Sequence, residues 1–119
     1  MEDRSNSLIR ISIPTLDGYV YIDANDILYC KADGNYTDVC LKNGKVICST
    51  LPLGDYELKL KHFLFFLRIH KSHIANLNCA DHYEKGKDGT LFFIDKAKTR
   101  LTVSRTHKKG FLDRWENRE

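Results

Sequence analysis

What most limits how this chain can fold is a series of turn signals that recur every few residues between short apolar runs of period two. Leu8, Ile9, Ile11 and Ile13 largely alternate with polar partners, Pro14-Thr15-Leu16-Asp17-Gly18 breaks the run, and Tyr19–Ile22 begins another. Alternation puts the apolar side chains on one face of a strand, so two such runs around a glycine-bearing break read as a hairpin. Asp23-Ala24-Asn25-Asp26 is turn chemistry, after which Ile27–Lys31 resumes as a strand and leads to Asp33-Gly34-Asn35, where glycine supplies a positive φ. Tyr36–Leu41 returns, Asn43-Gly44 turns the chain again, and Lys45–Ser49 completes a three-stranded meander.

From Pro52 the period changes. Leu53, Tyr56 and Leu60 fall at helical spacing, and a proline near the start of a helix loses no hydrogen bond, so a short helix is expected. Phe63–Leu67 is too apolar and too short for a surface helix; it is expected to be buried near a strand and to anchor a polar loop, Arg68–His73. Ile74–Leu77 then leads to strands around Cys79–Lys85, Thr90–Ile94 and Thr99–Val103, with turns at Lys87-Asp88-Gly89 and Asp95–Lys98. Ser104 is placed to cap a short C-terminal helix, in which Phe111, Leu112 and Trp115 share a face. The expected fold is therefore mostly β, with small packed antiparallel sheets, one short internal helix and a short C-terminal one. A length of 119 residues suits one domain, taken as residues 8–119, with residues 1–7 as a polar lead or linker remnant.

Several kinds of chemistry find no support. The opening MEDRSNS has no apolar run behind it, so it does not read as a secretory signal, and no stretch approaches a membrane span. A cytoplasmic location is expected, where Cys30, Cys40, Cys48 and Cys79, lacking any C-x-x-C pairing, stay free thiols. No nucleophile elbow or phosphate-cradling glycine motif is present, so neither a hydrolase nor a nucleotide-hydrolysing enzyme is expected. His70 and His73 stand three apart in a loop, a spacing that does not set two imidazoles side by side; with His62, His82 and His107, or with Cys79, they form a weak metal candidate, and the expectation is no metal and no cofactor.

Charge distribution is more informative than the net value of +3. The clusters Arg68–His73 and Arg100–Lys109 hold much of the positive charge. Arg68, Lys71, Arg105, Lys108 and Lys109 carry cations, while Ser72, Thr106 and Asn35 can hydrogen-bond phosphates or base edges, all in expected loops. From charge alone, a solvated rim and a phosphate-contacting edge fit equally well.

The order of motifs adds to this. From about Ile9 to Phe111 the sequence resembles a LytTR-type DNA-binding domain of the LytR/AgrA-like transcription regulators. The likeness is carried by Ile27-Leu28-Tyr29-Cys30-Lys31-Ala32-Asp33-Gly34-Asn35-Tyr36-Thr37, the Asn43-Gly44 turn, the short helix, Phe66-Leu67-Arg68-Ile69-His70-Lys71-Ser72-His73-Ile74-Ala75-Asn76 and Leu101-Thr102-Val103-Ser104-Arg105. The resemblance implies double-stranded promoter DNA as the partner, read by loops in successive major grooves with no recognition helix, as in the effector module of a bacterial response regulator. It places base contacts at Asn35, Lys71 and Arg105 and backbone contacts at Ser72, Thr106 and Lys108; Arg68 and Lys109 from the charge clusters, and His70 beside Lys71, complete the expected DNA-binding set. It also implies two protomers on direct repeats and an upstream receiver or sensor domain, as in two-component systems. The rival reading is a β-rich protein-interaction or ligand-sensing module, its basic rim incidental and Phe63–Leu67 lining a partner groove. The DNA reading requires the three distant segments to meet at one edge.

Overall fold

A computed structural model describes residues 9–86 and 88–117. The polar lead and Lys87 lie outside the described residues. Alternating apolar residues build three antiparallel sheets. The first is a hairpin of β1 (Arg10–Thr15) and β2 (Gly18–Asp23). The second has five strands in the order β5-β4-β3-β7-β6: β3 (Ile27–Asp33), β4 (Tyr36–Leu41), β5 (Val46–Ser49), β6 (Phe66–His70) and β7 (His73–Asn76). The third is β8 (Ala80–Glu84), β9 (Thr90–Phe93) and β10 (Arg100–Thr102), in the order β10-β9-β8.

The five-stranded sheet is the divider of the molecule. One face packs with the β1–β2 hairpin and helix α1 (Leu53–Leu60) around Ile13, Ile27, Cys30, Val39, Tyr56, Leu60 and Ile74. The other packs with the third sheet and helix α2 (Arg105–Glu116) around Ile69, Ala75, Leu77, Leu91, Val103 and Phe111. Strand geometry explains the split, since Ile74 and Ala75 are neighbours on β7 and must point to opposite faces. A register irregularity between Ile27 and Tyr29 turns both Leu28 and Tyr29 toward the second core. α1 follows Pro52, its N-cap residue, and buries Leu53, Tyr56 and Leu60, the residues whose spacing announced it. The Tyr56 hydroxyl pairs with Ser49 at 2.6 Å, so its polar end is satisfied inside the core.

Four expectations need correcting. Pro14 does not break its strand. β1 runs through it to Thr15, and the Pro14 carbonyl accepts from the Thr50 N–H at 3.0 Å, so the missing proline N–H lies on the side away from β2 and removes no bond of that ladder. Phe63–Leu67 is only partly buried: Phe66 enters the first core, whereas Leu64 is 75% exposed. Arg68–His73 is no loop, because β6 continues to His70 and β7 starts at His73, leaving Lys71-Ser72 as a two-residue turn. Finally, Arg105 to Lys109 form the first turns of α2, not a loop; Ser104 is its N-cap residue but its hydroxyl pairs with His107 Nδ1 at 2.7 Å and caps no backbone N–H. A strand around Cys79–Lys85 does form, starting at Ala80 after a single 3-10 turn.

Candidate nucleic-acid interface

β3 and β6 both run antiparallel to β7, so their C-terminal ends lie at the same end of the sheet. Two turns project there. In the first, Gly34 has φ +60° and Asn35 follows it, the pattern of a two-residue hairpin turn with glycine at its first central position. The second is Lys71-Ser72. Its root is sewn to the first by the Ala32 N–H, which donates to the Ser72 carbonyl at 2.9 Å. The start of α2 joins the same end, because the Ser104 N–H donates to the Ile69 carbonyl at 2.9 Å. Arg105 is one residue past that bond and Lys71 two residues past it, so the two cannot occupy opposite sides of the molecule. The three segments singled out from sequence are therefore brought together.

Asn35, Lys71, Arg105, Thr106 and Lys109 are exposed, and Ser72 and Lys108 are half-buried. Arg105, Lys108 and Lys109 stand at i, i+3 and i+4 on α2 and share a face. The first turn of that helix holds no acidic residue and no side chain caps its N–H groups. Cations at a helix N-terminus oppose its dipole, so this arrangement disfavours the isolated helix and favours an anion placed over it.

Arg68 is placed differently. Its Nε donates to the His70 carbonyl at 2.9 Å, Nη2 to the Lys71 carbonyl at 2.5 Å and Nη1 to the Glu57 carboxylate of α1 at 2.7 Å. His70 Nδ1 accepts from the Ser72 N–H at 3.1 Å, which requires that nitrogen unprotonated. The His70 and His73 rings lie 5.4 Å apart; among the described residues no group of three or more histidine, cysteine or acidic side chains is placed to hold a metal ion. Burial, with His107's neighbours Arg68 and His70, pulls the His107 imidazole below its ordinary range, and Glu57 opposes them. Sequence reasoning did not single out Glu57, Lys31 or the exposed Tyr36, and it named His107 only as a possible further metal ligand. Lys31 and Tyr36 carried a signal in hindsight, since they flank the Asp33-Gly34-Asn35 turn; Glu57 carried none, and nothing in the sequence placed His107 at this end, because both positions depend on contacts between elements.

Comparison with known proteins decides the family. The sequence profile of the LytTr DNA-binding domain matches residues 17–116. The chain belongs to the LytTR family. By that family it is a DNA-binding domain, and its fold is that of the family: a solved LytTr DNA-binding domain from Bacillus cereus superposes with a TM-score of 0.72, 20% identity, and coverage of 89% of this chain and 95% of that one. The heme-containing CO-sensing transcriptional regulator RcoM 2 of Paraburkholderia xenovorans (strain LB400) is 33% identical over 100 residues, which is 83% of this chain and 37% of RcoM 2. The sensory transduction protein LytT of Bacillus cereus is 30% identical over 101 residues, 84% of this chain and 40% of that protein. The LytTR domain thus spans roughly two fifths of the curated relatives it matches. Among its described residues no helix is long and apolar enough to cross a membrane.

Proposed function

We propose that this LytTR domain binds duplex promoter DNA sequence-specifically, presenting the Gly34-Asn35 and Lys71-Ser72 turns and the first turn of α2 to the major groove. The observation that carries the reading is the pair of backbone hydrogen bonds, Ala32 to Ser72 and Ser104 to Ile69, that tie three chain-distant segments to one end of one sheet. Asn35, Lys71 and Arg105 read base edges, since an amide suits adenine and a lysine or guanidinium suits guanine. Ser72, Thr106, Lys108, Lys109 and His70 contact the sugar-phosphate backbone, and Arg68 acts inside the protein. The activity is binding alone, by two protomers on direct repeats in the cytoplasm, as the output part of a longer regulator whose upstream receiver or sensor supplies the signal.

Selection of bound sequences from a random duplex library, followed by titration of the selected duplex, tests this. Arg105→Ala costs ~1–3 kcal/mol at one position of the site and relaxes the preference there, while Lys108→Ala weakens all sequences alike and lowers the salt slope by about one. Affinity that hardly changes between about 50 and about 200 mM salt, with Arg105→Ala equal to the parent, overturns the reading and favours the protein-interaction module.

A further inference from the structure

The Lys71-Ser72 turn lacks the usual means of holding its shape. Two-residue hairpin turns match strand twist when a central residue takes a positive φ, which is why glycine and asparagine dominate them. Here neither residue is glycine, and among the described non-glycine residues a positive φ occurs only at Lys98. The β6–β7 register is also irregular between Arg68 and His70. The turn must be held from outside its own backbone. The Nε and Nη2 edge of Arg68 grips two successive carbonyls of the turn, His70 and Lys71, and Glu57 fixes the guanidinium from α1. The Arg68 side chain is 21% exposed and that of Glu57 51%, so the ion pair adds little stability; its consequence is orientation.

We infer that Glu57 and Arg68 are positioning residues for sequence reading: α1, which carries no DNA contact, sets the direction in which Lys71 is presented. This rests on the proposed DNA reading. It makes an unusual claim about an acidic residue. Removing a negative charge from a DNA-binding surface ordinarily tightens binding to any duplex, whereas here Glu57→Gln weakens recognition of the right one.

The test uses the parent chain, Glu57→Gln, Arg68→Lys, the double variant and Asp55→Asn, a matched charge removal on the exposed side of α1, each titrated on the selected duplex and on a scrambled one, with melting curves to verify folding. Glu57→Gln loses about tenfold on the selected duplex and nothing on the scrambled one. Arg68→Lys does the same with its salt slope unchanged, the double variant is no worse than Arg68→Lys alone, and Asp55→Asn keeps the parent's discrimination. Glu57→Gln matching Asp55→Asn on both duplexes, losses that add in the double variant, or an Arg68→Lys salt slope lowered by about one overturns the inference. A parent chain that does not distinguish the two duplexes refutes the DNA reading itself, a result separate from any of these.

Discussion

His73 opens β7 just after the Lys71-Ser72 turn, with Nδ1 buried and without a hydrogen-bond partner, and burial, assisted by His70 and Lys31, pushes its imidazole down to about 4. A histidine with a folded pKa below its unfolded value binds fewer protons in the fold than out of it, so protons favour unfolding. Its contribution is intact above about pH 6.5, the unfolded value, and is lost as pH falls toward about 4. His107 acts in the same sense, because it too is lowered by burial; His82, exposed and raised by its hydrogen bond to Asp81, acts in the opposite one. Melting temperature therefore falls between pH 7 and pH 5, and His73→Phe flattens that fall, leaving the smaller net effect of the other two. An unchanged slope in His73→Phe refutes the assignment to His73. Residue identity alone announced none of this: the sequence shows two nearby histidines, and only the fold shows that one is half-solvated with a bonded Nδ1 and the other is cut off from water on that side.

At the scale of elements, the hairpins that were legible are those whose turns carry their own chemistry. Asp33-Gly34-Asn35 and Asn43-Gly44 hold glycines at φ +60° and +93°, and a strand on each side followed from local pattern. The β6–β7 hairpin was illegible for the opposite reason, since Lys71-Ser72 has no turn residue that demands its conformation and β7 is a strand because of its pairing with β3, far upstream. Helix α1 was legible from three apolar residues; the extent of α2 was not, because all of its first six residues are polar or glycine and its start is fixed by the Ser104–Ile69 hydrogen bond. Asn76 shows how strongly one side chain can join elements. Its Nδ2 donates to the Ile27 carbonyl at 2.8 Å and its Oδ1 accepts from the Asn78 N–H at 2.9 Å, all with 1% of the residue exposed. Asn76→Ala leaves both backbone groups without these partners and costs about 2–4 kcal/mol, measured as a lower urea midpoint at unchanged m-value.

For the whole molecule, two cores share one five-stranded sheet, so neither can melt while the other keeps its wall. Phe111→Ala, deep in the second core against Tyr83 and Trp115, costs about 3–5 kcal/mol, yet unfolding stays a single step in which Trp115 fluorescence and far-ultraviolet circular dichroism coincide. Separate transitions by the two probes count against a shared wall. The sequence reading reached the mostly β architecture and the family resemblance, while the convergence of Asn35, Lys71 and Arg105 remained a requirement until strand order joined the first two and the Ser104–Ile69 hydrogen bond brought in the third. The exposed tips have a historical consequence. Asn35 and Lys71 face solvent while the strands beneath them hold both cores, so exchanging either side chain leaves folding intact. On the proposed DNA reading, a lineage carrying this domain is free to drift toward new operators one tip at a time, its scaffold inherited unaltered.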